Sequence, residues 1–224
     1  MANSRQWTFY ANKYNAFSKV MKVIVLPRRI CPRCGSKNTA TILWGMPAMT
    51  QELQNKLDKK EVVLGGCCIA IPSPTHHCNS CGKDFGGNYF TKPAFVRELY
   101  FYVGGYFGTS HWIYLHEQKY GKILRYVASD SHYIDIKSEL ADCNISLIPV
   151  GHKWAEFNKD LLRCYFIDWK SRYINQNVLD GTQWELNVTF DNGTTIKRYG
   201  SNAYPPHWKK LIATFHKYGL PIIR

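Results

Sequence analysis

The chain has 224 residues, 45% hydrophobic and 15% aromatic, which suits one medium packed core or two small ones and excludes an intrinsically disordered chain. No stretch approaches the roughly 20 uninterrupted apolar residues that span a bilayer, so membrane insertion is not expected. The run Val20 to Leu26 is broken by Lys22 and lacks a small-residue cleavage site, which points away from a secretory signal and toward a cytoplasmic location.

The net charge of +13 is unevenly placed. Before Glu52 there are eight cations and no acid, and after Asp191 six more and again no acid, leaving fifteen cations against sixteen acids between. Such ends would draw nucleic-acid phosphates or an acidic protein surface; a merely solvated basic surface is the alternative. The candidate phosphate contacts are Arg5, Lys13, Arg28, Arg29, Arg33 and Lys37 at one end and Lys209 and Lys210 at the other.

Along residues 1–30, Tyr10, Tyr14, Phe17 and Met21 recur at helical spacing, with Lys13 and Lys22 elsewhere on the wheel. Trp7, Tyr10 and Tyr14 offer stacking surfaces beside Arg5 and Lys13, although such a stripe more often docks on its own core.

Eight cysteines in a chain read as cytoplasmic argue against a disulfide framework. Four of them form two knuckles, Cys31-Pro-Arg-Cys34-Gly35 and Cys78-Asn-Ser-Cys81-Gly82. Two intervening residues let both thiolates of a knuckle face one ion at about 2.3 Å, and two knuckles complete a closed tetrahedral shell. The glycine after each second cysteine can take positive φ and turn the amides toward the sulfurs. Zinc is the expected ion, with iron the competitor for the same cage. Cys67, Cys68, His76 and His77 are conceivable substitutes, but Cys67 and Cys68 read better as small buried hydrophobes, and Cys143 and Cys164 as ordinary buried thiols.

Between the knuckles Thr50 can cap a helix from Gln51 to about Lys59, with Leu53 and Leu57 on its inner face. Val62 to Leu64 then reads as a strand stopped by Gly65-Gly66. The whole stretch from Cys31 to Phe85, with Gly45, Pro47, Leu64, Gly65, Gly66 and Cys67 between the knuckles, resembles a group of small bacterial zinc-ribbon proteins. The resemblance implies a zinc site and no particular activity.

Beyond Lys92 the pattern is mostly strand, turn, strand. Phe95 to Val103 precedes the Gly104–Gly108 turn. Trp112 to Glu117 and Lys122 to Val127 flank Lys119-Tyr120-Gly121, and Trp184 to Phe190 and Thr194 to Tyr199 flank Asp191-Asn192-Gly193. Helices are expected over 153–162, through Trp154, Phe157, Leu161 and Leu162, and over 206–218, through Trp208, Leu211, Ile212 and Phe215. Trp112 and Gly121 lie 72 residues before Trp184 and Gly193, which fits either an internal βββα duplication or two ordinary meanders. The last sixty or so residues, with Asp180-Gly181, Gln183-Trp184, Gly200, Asn202 and Tyr204-Pro205, are similar to an uncharacterised bacterial domain. Gly200 and Asn202 are expected in left-handed conformations before the last helix.

No catalytic constellation is complete. Glu117-Gln-Lys119 and Asp168-Trp-Lys170 have a carboxylate-x-lysine form used by metal-dependent nucleases, and Asp130, His132 and Asp135 cluster, but none has an orienting partner. The expected architecture is α+β, a basic segment with a four-cysteine zinc ribbon over 1–90 followed by an antiparallel sheet with helices on one face over 91–224. The expected role is non-enzymatic: Zn²⁺ binding with nucleic-acid contact through the basic ends. A protein-interaction module using an aromatic sheet face is the alternative, and a metal-dependent nuclease the third reading.

Overall fold

The structure, a computed structural model, describes residues 29–69, 73–87, 89–90, 94–106, 108–118, 121–130, 145–150, 153–178, 180–221 and 223, with backbone alone at 116–118, 121 and 145–149. The expected N-terminal helix and Cys143 lie outside the described residues.

The smaller sheet is built around the knuckles. Strand Thr39–Trp44 (β1) leads through helix Gln51–Asp58 (α1) to strand Val62–Gly66 (β2), and β1 and β2 pair in parallel, Thr41 opposite Val62. His76–Cys78 (β3) pairs antiparallel on the other side of β1, and Asp84–Phe85 (β4) completes the order β2-β1-β3-β4. The Thr50 hydroxyl accepts from the Leu53 amide at 3.2 Å, and Leu53 is fully buried, as a capped amphipathic helix requires. Strand β1 was not foreseen, although Thr39, Thr41 and Ile42 supply β-branched residues suited to a pleated surface. Strand β2 also runs further than expected. A side chain at Gly65 would lie 2.7 Å from Ile42 and from the Trp44 ring, so this glycine admits its neighbours and does not stop the strand.

The larger sheet contains Val96–Gly104 (β5), Ser110–Gln118 (β6), Gly121–Ser129 (β7), Ile145–Pro149 (β8), Arg172–Ile174 (β9), Gln183–Phe190 (β10) and Thr195–Ser201 (β11). Its order is β8-β7-β6-β5-β10-β11-β9, antiparallel throughout except for β11 and β9. Helices Trp154–Leu162 (α2) and Trp208–Lys217 (α3) cover one face. Leu99, Phe101, Ile113, Leu124, Leu186 and Val188 point from the strands into a core completed by Phe157, Leu161, Leu211 and Phe215. Each such fully buried side chain contributes about 1.5–3 kcal/mol. The fold is therefore α+β, with helices on one face of a largely antiparallel sheet.

Strand–strand–strand–helix succession occurs twice, with β8 added in the first half. The tryptophans that suggest a repeat nevertheless face opposite ways. Trp184 lies opposite Val103 and points to the core, whereas Trp112 lies opposite Tyr102 and points to the other face with Val127. The β10–β11 turn forms as expected: Gly193 takes φ +84°, its amide donates to Phe190 O at 3.0 Å, and Asn192 Oδ1 accepts from the Thr194 amide. Among the described residues no helix is long and apolar enough to cross a membrane.

Candidate metal centre and basic cleft

The two knuckles close on each other. Cys31 Sγ lies 3.8 Å from Cys81 Sγ, Cys34 Sγ lies 3.6 Å from Cys78 Sγ, and all four sulfurs are within 4.8 Å of one another. A tetrahedral ion with sulfurs at about 2.3 Å needs sulfur–sulfur edges of about 3.8 Å, so the donor set fits a four-coordinate metal. Each knuckle turns as its sequence dictates. Gly35 and Gly82 take φ +77° and +66°, and their amides donate to Cys31 O at 2.9 Å and Cys78 O at 2.8 Å. Ser36 and Ser80 hydroxyls meet at 2.7 Å and the Asn79 amide donates to Asn38 O, clasping one knuckle to the other.

The thiols are unequal. Burial raises Cys31 to about 12 against the pull of the Cys34 and Arg33 amides. Burial also opposes ionisation of Cys78, but the Cys81 and Ser80 amides and the Cys34 and Cys81 thiols outweigh it and bring Cys78 down to about 7. Among the described residues this is the one group of three or more Cys, His, Asp or Glu side chains close enough to hold a metal. Filled, the shell is closed and supplies structural cross-linking, with no open position for substrate.

The other nearby candidates do other work. His76 is buried, shares a hydrogen bond with the Thr75 hydroxyl at 2.8 Å and stacks on Phe85; His77 pairs with Asp84 at 2.6 Å. Cys67 and Cys68 are exposed, contrary to the expectation of burial, because they follow the edge strand β2 beyond Gly66, whose φ of +91° turns the chain. Cys164 is buried as expected.

The nuclease candidates are spent on structure or lie elsewhere. Asp168 accepts from Tyr89 Oη at 2.7 Å and from the Gly86 amide at 3.3 Å. Asp130 accepts from the Thr109 hydroxyl; His132, Asp135, Lys119 and the Glu117 side chain fall outside the described ones. Gly200 does not take the expected left-handed conformation. Any side chain there would lie 2.1 Å from the Trp184 indole nitrogen, so the position admits a tryptophan, while Asn202 does adopt φ +54°.

The first knuckle sits against the larger sheet and its helices. Tyr173 Oη donates to Pro32 O at 3.4 Å, and His207 Nε2 donates to Ile30 O at 3.3 Å. Arg29 donates to Tyr165 Oη, and Lys210 approaches the Tyr165 ring at 5.7 Å. Residues from both basic ends thus line one cleft of about 770 Å³, where Arg29 meets His207, Lys210 and Lys217. Arg163 of the central segment joins them; the near-neutral composition around it offers no signal that would have singled it out.

Of the other candidate contacts, Arg33 lies near Arg198, and Lys37 and Lys209 are exposed outside the cleft lining. Arg5, Lys13 and Arg28 lie outside the described residues. Two cations counted in the C-terminal charge are already engaged: Arg198 donates from Nε to Phe166 O and from Nη2 to Ile167 O, and Lys217 bonds Glu156 and Asp160, each at 2.7 Å. No protein-family profile, curated protein or solved structure matches this chain.

Proposed function

We propose that the protein is a non-enzymatic zinc-binding protein of the cytoplasm that binds nucleic acid through its phosphate backbone. The observation that carries this reading is convergence: the chain just before the first knuckle lies against the start of α3, so two basic segments far apart in sequence share one cleft. Four thiols at tetrahedral spacing support a zinc ion, which would hold Arg29 beside Lys210 and fix Arg33 and Lys37 around the first knuckle. Contacts of this kind position a protein on the backbone without reading bases.

Filter binding across a salt series tests it. About four phosphate contacts give a slope of about −3.6 for the logarithm of the binding constant against the logarithm of salt on duplex DNA. A flat plot defeats the nucleic-acid reading, and purified protein carrying no zinc defeats the metal reading.

A second reading has its own support. Tyr100, Tyr102 and Tyr114 are half-exposed around Trp112 on the sheet face opposite α2 and α3, a patch suited to anchoring another protein. Substituting Tyr102 with alanine would then remove a stable complex while leaving nucleic-acid affinity unchanged.

A further inference from the structure

We propose that the cleft between the first knuckle, the end of α2 and the face of α3 is a phosphomonoester site, taking the terminal phosphate of a polynucleotide or nucleotide; this rests on, and narrows, the nucleic-acid reading. Tyr165 lines it, with three basic side chains around its ring. The Arg29 guanidinium carbon stands 5.8 Å from its ring centroid, Lys210 Nζ 5.7 Å, and the His207 ring 5.1 Å. Two cations, and a histidine whose Nε2 is given to Ile30 O, therefore surround one half-buried phenol whose own hydroxyl already holds Arg29.

Among the described residues the charge lining the cleft is not balanced, with the Asp160 carboxylate set against Arg29, Arg163, Lys210 and Lys217. Lys217 is satisfied by Glu156 and Asp160, and Arg163 reaches Asp160 only at 3.4 Å. Neither Arg29 nor Lys210 has a carboxylate within ion-pair distance among the described residues. Concave cationic walls concentrate the field on a small anion, and a dianion gains more from them than a diester does. The backbone adds an independent sign. Tyr165 takes φ +57°, a conformation that bulky residues adopt at a cost, in the turn that ends α2, and its side chain lines the cleft. The volume of about 770 Å³ suits a nucleotide end.

The test is fluorescence polarisation with the full chain at about 0.1 M salt, comparing one short single-stranded oligonucleotide carrying a 5′-phosphate with the same strand ending in a 5′-hydroxyl. The 5′-phosphate form should bind about tenfold tighter. Arg29→Gln and Lys210→Gln, both at exposed positions, should abolish that preference while circular dichroism shows an unchanged fold. Lys209→Gln, outside the cleft, should weaken both strands equally and keep the ratio. Equal affinity of the wild-type protein for the two strands overturns the site and leaves general backbone binding standing, as does a ratio unmoved by Lys210→Gln. If neither strand binds, a nucleoside 5′-monophosphate whose binding is lost in Lys210→Gln upholds the site and removes the polynucleotide reading. Failure of that ligand as well overturns both.

Discussion

Tyr89 donates a hydrogen bond to Asp168 at 2.7 Å, and through it the chain just beyond the second knuckle is fastened to the segment between α2 and β9. The Gly86 amide adds a second donor to the same oxygen at 3.3 Å. The knuckle module is thus joined to the large sheet by a half-buried carboxylate as well as by the contacts of Ile30 and Pro32.

Burial raises the Asp168 carboxyl above its ordinary value, against the opposing pull of Tyr89 and Gly86. A carboxyl with a raised folded-state value favours the fold most below the unfolded value near 3.8, and that contribution declines as pH climbs through the window between the two. Asp168→Asn keeps an acceptor for Tyr89 and removes the charge, so its stability should vary less with pH over that window than wild type. Tyr89→Phe instead leaves the carboxylate short of a donor and should cost about 1.5–3 kcal/mol near neutral pH. Urea denaturation of both variants across pH checks the signs.

Asp160 behaves oppositely. The Lys217 hydrogen bond lowers its carboxyl, with Tyr218 helping against the effect of burial, and ties α2 to α3. A lowered carboxyl contributes stability above the unfolded value near 3.8 and loses it as pH falls through the folded value. Asp160→Asn should therefore lower the denaturation midpoint at pH 7 and narrow the gap from wild type in strong acid, as thermal melts over pH would record.

Loss of the metal should be local. Cys78→Ser, or chelation of the wild-type protein, is expected to take bound metal from one equivalent to none and to abolish amide protection in β1, β3 and β4. The β5–β11 sheet, with its own core of Leu99, Phe101, Leu186 and Phe215, should remain protected. Hydrogen exchange with parallel metal analysis distinguishes this from global unfolding.

Gly200→Ala places a methyl group 2.1 Å from the Trp184 indole nitrogen, which donates to Ala203 O at 2.8 Å. Overpacking at that point should cost about 1–3 kcal/mol and lower the melting temperature by several degrees. Gly181→Ala, where a methyl would meet Asn202 Oδ1 at 2.0 Å, should do the same. An unchanged melting temperature in either variant would refute the interlock between the two halves of the C-terminal motif.

Local chemistry was legible in the sequence where a residue type permits few alternatives. Cys31, Cys34, Cys78 and Cys81 announce their common centre because their spacing repeats and each pair ends in glycine; Thr50, Asn192 and Gly193 announce a cap and a turn for the same kind of reason. Strand β1 is hard to read from the sequence because the alternation of Thr39 to Ile42 lasts only four residues before the apolar Leu43-Trp44, and both of its faces are buried or half-buried. Gly65 and Gly200 depart from the sequence expectation because a glycine that makes room for a tryptophan looks, in one dimension, like a glycine that turns the chain.

What the amino-acid order determined by itself was the donor set, the charge at each end and the alternation that puts Leu186, Val188 and Phe190 on one side of a strand. Tertiary structure alone decided that Trp112 and Trp184 face opposite ways, that Arg29 reaches Tyr165 across 136 positions, and that Asp168 is fastened to Tyr89 and Gly86. The reason is physical: spacing and alternation act within a turn or a strand, whereas strand register and docking are settled by which distant side chains fill the same volume.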